Sequence, residues 1–169
     1  MTAAPGELVV RVVGVRDELA RPLFEDLARE YGARYGGTPE QVRGELERHP
    51  AEEFDEPDGV LLLLLEDGAP VAGGAYRRYD EGTAELKRIW THREHRRRGL
   101  GRRVLTELEA RALAAGYSRL YLTTGPRQPE ARGLYLRAGF RPLFDLDADP
   151  ESVGRLPFTK DLPAAADPR

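Results

Sequence analysis

The chain has 169 residues, with 26 Lys and Arg against 29 Asp and Glu for a net charge of −3, and it contains no cysteine. Disulfides, thiolate metal sites and cysteine nucleophiles are therefore excluded, and the length suits one domain whose core needs no covalent staples. The longest apolar run, Val60 to Leu65, is far short of the ~20 residues of a membrane helix. The N-terminus also lacks the basic start and apolar run of a signal peptide, so a cytoplasmic protein without membrane contact is expected.

Glu7 to Val15 is valine-rich and reads as a first strand. Asp17 is placed to cap a helix whose apolar face is Leu19, Leu23, Phe24, Leu27, Tyr31 and Tyr35, stopped by Gly36-Gly37. Thr38 and Pro39 open a second helix that runs to about Arg48 and ends before Pro50. Ala51 to Gly59 is an acidic loop. Val60 to Leu65 predicts a central strand covered on both faces. Asp67-Gly68 then turns the chain into a strand from Val71 to Tyr79, and Asp80-Glu81-Gly82 turns it again into a strand from Ala84 to Thr91.

A basic loop, Arg93 to Arg98, precedes Gly99-Leu100-Gly101 and a helix to about Ala115 with Leu100, Val104, Leu105, Leu108 and Ala112 on one face. Ser118 to Thr124 predicts the next strand. A helix from Pro129 to Ala138 follows, closed by Gly139. Phe140 to Leu146 and Pro157 to Leu162 predict the last two strands. The order is that of an α/β domain over residues 1–162 with a mixed sheet, followed by a flexible tail over residues 163–169.

A strand, a glycine-containing turn and a helix N-terminus in succession make an anion site. The first N–H groups of a helix lack intrahelical partners, and the macrodipole places positive charge there. Six arginines fall between Arg93 and Arg103. Local positive charge in a near-neutral chain points to a small anionic ligand, and no aromatic residues are interleaved to stack nucleic-acid bases. Neither the Walker pattern nor the dinucleotide fingerprint is present.

The hexamer Arg96-x-x-Gly99-x-Gly101 after a strand resembles the acyl-CoA pyrophosphate loop of the GNAT superfamily of N-acetyltransferases. The block from Gln128 to Phe140 is similar to that family's N-x-x-A-x-x-L-Y-x-x-x-G-F pattern, with Gln128 in place of the usual Asn. The resemblance implies a mixed, mostly antiparallel central sheet with helices on both faces and a C-terminal hairpin. It implies acetyl-CoA as co-substrate and transfer of the acetyl group to a primary amine; no metal is expected, and the absence of cysteine favours direct attack.

Cofactor-binding positions carried over are the backbone of Ile89, Trp90 and Thr91, the loop Arg96, Arg97, Arg98, Gly99, Leu100, Gly101 and Arg102, and Gln128. Tyr135 matches the tyrosine near the acyl-CoA sulfur; a phenol of pKa ~10 is protonated at neutral pH and can donate to a thiolate. Glu85 stands where one branch of the family has its general base, though to deprotonate an amine a carboxylate needs burial or a relaying water. Without the resemblance Tyr135 reads as core and Glu85 as a partner of Lys87.

Lys87 and Arg88 are cations in an apolar strand, suited either to structural pairing or to anchoring an acidic group of the acceptor. His49, His92 and His95 lack metal-ligand spacing, and Ser118 and Ser152 have no adjacent base. The acceptor is expected to be chosen by the first two helices, the loop Ala51 to Gly59 and the C-terminal hairpin. A homodimer and a CoA-binding domain without turnover both remain open at this level.

Overall fold

The computed structural model describes residues 6–46 and 48–163. In chain order the elements are β1 (Leu8–Val12), a 3-10 turn (Glu18–Ala20), α1 (Arg21–Tyr35), α2 (Pro39–Leu46), a 3-10 turn (Ala51–Phe54), β2 (Val60–Glu66), β3 (Ala69–Asp80), β4 (Thr83–Thr91), a 3-10 turn (Arg93–His95), α3 (Leu100–Ala114), β5 (Arg119–Thr124), α4 (Pro129–Arg137), β6 (Arg141–Pro142), α5 (Pro150–Val153) and β7 (Leu156–Asp161). They build a seven-stranded sheet in the order β1-β2-β3-β4-β5-β7-β6. All neighbours are antiparallel except β4 and β5. Among the described residues no helix is long and apolar enough to cross a membrane.

Period-2 alternation divides the apolar run of β2 between two cores. Val60, Leu62 and Leu64 join α3 residues Leu100, Val104, Leu105 and Leu108 on one face. Leu61, Leu63 and Leu65 join Leu23 and Leu27 of α1 and Trp90 on the other. The helices thus lie on both faces, and the continuous run is accounted for.

Gly73 and Gly74 let the two layers approach. A Cβ on Gly73 would lie 2.8 Å from the Leu62 carbonyl oxygen and 3.0 Å from Leu23, and one on Gly74 would lie 2.9 Å from Val104 and 3.0 Å from Leu108. Any side chain would push α1 or α3 off the sheet.

Thr38 caps α2 as expected, whereas Asp17 caps the 3-10 turn that leads into α1, which itself starts without a side-chain cap. The Asp17 carboxylate accepts the Leu19 N–H at 2.9 Å, and the Thr38 hydroxyl accepts the Gln41 N–H at 3.1 Å. Two further expectations change. The segment Phe140 to Leu146 is not a full strand: only Arg141 and Pro142 pair with β7, and Leu143 adds one bond to the Pro157 carbonyl. Pro142 has no N–H to donate, and the chain then turns into the short helix α5, capped by Asp149. The acidic loop holds a 3-10 turn that buries Phe54. At Gly59 a Cβ would sit 2.0 Å from the Glu53 carbonyl oxygen, so only glycine closes this loop. The predicted tail from 164 onward lies outside the described residues, while Leu162 is tied by its N–H to the Ser118 carbonyl.

Candidate functional site

The site begins where two strands part. β4 and β5 pair only through Thr83–Arg119, Ala84–Leu120 and Glu85–Tyr121. From Leu86 onward the edge of β4 that faces β5 has no ladder partner. A cleft of about 620 Å³ opens there, bounded by Tyr31 and Tyr35 of α1, Lys87 to Ile89, the segment Thr124 to Gln128, and Tyr135.

A bulge in β4 decides which side chains face which layer. Between the pairs Ala75–Lys87 and Gly73–Trp90, Gly74 alone opposes both Arg88 and Ile89. Arg88 takes φ 62 to accommodate the extra residue. The parity of the strand flips at this point. Leu86 and Ile89, an odd spacing apart, both pack against the α3 core, while Trp90 packs into the α1 core. The indole N–H of Trp90 donates to Asp26 at 3.0 Å, so its side chain is committed to α1. Of the three positions the resemblance names for backbone contact, Ile89 lines the cleft.

Tyr135 projects from α4 into the α3 side of the cleft. Its ring lies 5.8 Å from both Phe140 and Phe158, and the residue is buried. Its hydroxyl makes no hydrogen bond to a described residue, and burial pushes its pKa well above the usual phenol range, which keeps it protonated. The side chain therefore serves the core with its ring and leaves a proton donor unused. Gln128 precedes α4. Its Oε1 accepts the Gly125 N–H at 3.1 Å and the Thr124 hydroxyl at 3.3 Å, which fixes the turn out of β5.

Glu85 is nearly buried on the opposite, α1-side face. Its carboxylate accepts from Arg77 at 2.8 Å and lies 3.8 Å from Lys87. Arg77 also donates to Glu53 at 2.7 Å, and this partner, brought from β3, was not foreseen. Burial lowers the pKa of Lys87.

At the predicted anion loop, Arg97 and Gly99 take left-handed conformations, φ 66 and 75, and α3 begins at Leu100. No side chain caps its first N–H groups. A Cβ on Gly99 would meet no atom within 4 Å, whereas one on Gly101 would come within 3.1 Å of Leu134. An uncapped helix start facing open space fits a phosphate group. The arginines are held by carboxylates from elsewhere in the fold. Arg96 pairs with Glu30 at 2.6 Å, Arg98 pairs with Glu66 at 2.5 Å, and Arg102 donates to the Arg137 carbonyl at 2.8 Å. Arg97 is exposed.

Sequence reasoning treated Tyr31 and Tyr35 as helix packing; the structure puts both in the cleft. Tyr35 accepts the Arg127 N–H through its hydroxyl at 3.0 Å and tethers the end of α1 to the β5–α4 turn. Burial raises the pKa of Tyr31, which lies beside Arg88 and Gln128. The available signal was position: two phenols on the last turns of a face whose other side chains carry no polar atom. Arg155, at the entry to β7, is a second unforeseen lining residue. Among the described residues no group of His, Asp or Glu is arranged to hold a metal ion.

Comparison with known proteins bears on the fold. Residues 20–140 match the model of the Acetyltransferase (GNAT) family. A protein of Azospirillum brasilense named IAA acetyltransferase is 31% identical over 137 residues, covering 80% of this chain and 85% of the relative. Among solved structures, an acetyltransferase from Streptococcus agalactiae superposes with a TM-score of 0.69 at 19% identity, covering 92% of this chain and 98% of that one. The PaiA N-acetyltransferase from Thermoplasma acidophilum, solved in complex with coenzyme A, superposes with a TM-score of 0.68 at 16% identity, covering 92% of this chain and 99% of that one.

Proposed function

The chain belongs to the GNAT acetyltransferase family, and from that premise we propose that it moves an acetyl group directly from acetyl-CoA to a primary amine. The observation that carries this reading is the cleft where β4 and β5 cease to pair, lined by Tyr31 and Tyr35 of α1 and by Tyr135 of α4. Lys87 lines it too, and Glu85, in the last β4–β5 pair, lies 3.8 Å from Lys87. The two reactants can then meet in this cleft.

Gly99 to Gly101 and the first N–H groups of α3 would hold the pyrophosphate, with Arg96 and Arg98 exchanging carboxylate partners for phosphate oxygens. The unpaired edge of β4 at Ile89 to Thr91 would bond the pantetheine amides, as a strand edge bonds any extended chain. A backbone N–H there would also polarise the thioester carbonyl. Acetyl-CoA supplies the activated acyl group. The amine would enter from the α1–α2 side, and Glu85, through a water, would take up its proton. Tyr135 would donate its proton to the departing sulfur. Direct attack is favoured because the chain has no cysteine to carry an acyl intermediate.

The test is CoA release from acetyl-CoA across amino acids, polyamines, aminoglycosides and peptides, with the amide product identified by mass spectrometry. Amine-dependent thiol release with a product one acetyl group heavier is expected. Tight acetyl-CoA binding with no amine-dependent release from any class would replace this reading with a CoA-binding domain that does not turn over.

A further inference from the structure

Arg88 is a half-buried cation to which no described residue gives a counter-ion within ion-pair distance. One guanidinium nitrogen donates to the Leu46 carbonyl, and the group stacks over the Phe54 ring at 5.6 Å. Its Nε is buried without a hydrogen-bond partner, and no described carboxylate comes within ion-pair distance. The neighbouring cations are mostly committed: Arg77 to Glu53 and Glu85, Arg48 to Glu45, and Arg127 to Glu151. Lys87 reaches only Glu85, at 3.8 Å, a carboxylate already bonded more closely to Arg77. Arg155 lines the same cleft, and no described carboxylate pairs with it. Lys87 is close enough to feel both Arg88 and Arg155.

A buried guanidinium without an opposite charge is costly, and the fold retains it on a bulge whose left-handed φ also disfavours a non-glycine residue. A ligand carboxylate in the cleft would complete the set. We propose that the acceptor is a small amine that also bears a carboxylate, an amino-acid-class substrate, whose carboxylate is held by Arg88 with Lys87 and Arg155 while its amine faces the gap between β4 and β5. This rests on the transfer reading above and narrows it.

The chemistry balances without a further reactant. The amine nitrogen forms a bond to the acetyl carbonyl carbon, and the carbon–sulfur bond breaks. One amine proton leaves by way of Glu85 and water, and the sulfur receives a proton from Tyr135, which solvent restores. The product is an N-acetyl amino acid and CoA.

The experiment compares the standard amino acids with their amides, which lack the negative charge of the carboxyl end. The amides have the less basic amines and so start with the advantage of more free base. The acids are expected to exceed their amides in kcat/KM by about tenfold or more, the low end for a hydrogen bond between charged groups. Arg88→Met and Arg155→Ala should lower the acids' values and leave the amides' unchanged. Arg155 is exposed, so its variant tests the site even if Arg88→Met folds poorly.

A binding arm needs no turnover. Calorimetry on the CoA-loaded protein should show an N-acetyl amino acid binding, its N-acetyl amide not, and Arg155→Ala weakening the former. Amides used as well as acids, or variants losing both alike, would overturn the inference while leaving acetyl transfer standing. CoA binding without binding of any free or acetylated amino acid would overturn it too. Absence of acetyl-CoA binding would remove the transfer reading and this one with it.

Discussion

Replacing Tyr135 by Phe separates a catalytic hydroxyl from a packed ring. The ring contacts Phe140 and Phe158 at 5.8 Å and would be kept, and the hydroxyl bonds no described residue. Loss of the oxygen therefore removes no intramolecular hydrogen bond, and the stability change should stay within about 0.5 kcal/mol. Tyr117→Phe is the internal control. The Tyr117 hydroxyl donates to the Asp58 carbonyl at 2.6 Å, and its loss should destabilise by about 1 kcal/mol, or roughly 2–4 °C in Tm for a chain of this size.

The rates should order the other way. If Tyr135 protonates the departing sulfur, Tyr135→Phe should lower kcat by roughly 10²-fold with little change in the KM for acetyl-CoA, since the interaction is made in the transition state. Tyr117→Phe should leave kcat alone. Thermal melts and steady-state kinetics on both variants make the comparison. A Tyr135→Phe variant with unchanged kcat would refute the general-acid role. One whose Tm falls as far as that of Tyr117→Phe would show that the hydroxyl is structural.

The remaining expectations address the loop, its arginines and acid stability. Gly99→Ala should destabilise by about 1–2 kcal/mol through its left-handed φ of 75 and should abolish acetyl-CoA binding in calorimetry; binding at parental affinity would move the phosphate site elsewhere. Arg98→Ala should weaken CoA more than a pantetheine fragment without phosphates, and Glu66→Gln, which removes the carboxylate now paired with Arg98 at 2.5 Å, should tighten CoA. Equal losses for both ligands would argue against a phosphate contact. Hydrogen bonds from Arg77 and Arg34 hold Glu53 and Glu130 below their ordinary 4.5. Their contribution is fully present above that value and is lost as pH falls through the lower folded values. The Tm drop from about pH 5 to about pH 3 should therefore be smaller in Glu53→Gln, and an unchanged drop would deny the Glu53–Arg77 pair a role in acid stability.

Much of the framework was legible because it is local. Period-3.6 faces located α1 and α3, the run Val60 to Leu65 announced a strand covered on both sides, and Asp17 and Thr38 marked helix starts. The glycines around Leu100 pointed to a loop whose open space and uncapped N–H groups are now visible. Each of these depends on residues within a turn or two of one another.

What only the tertiary structure decided depends on pairs far apart in the chain. The strand expected at Phe140 ended after two residues because its ladder needs β7 and Pro142 cannot donate to it. The counter-charges of Arg96 and Arg98 come from Glu30 and Glu66, 66 and 32 positions away. The bulge at Arg88 left a faint trace in the odd spacing of Leu86 and Ile89. Its consequence, a cation turned toward α2 with no described carboxylate in ion-pair reach, required the register of β3 on β4. The gap itself has no sequence signature, because where two parallel strands cease to pair is set by the helices packed on either side. Neither strand records that separation in its own residues.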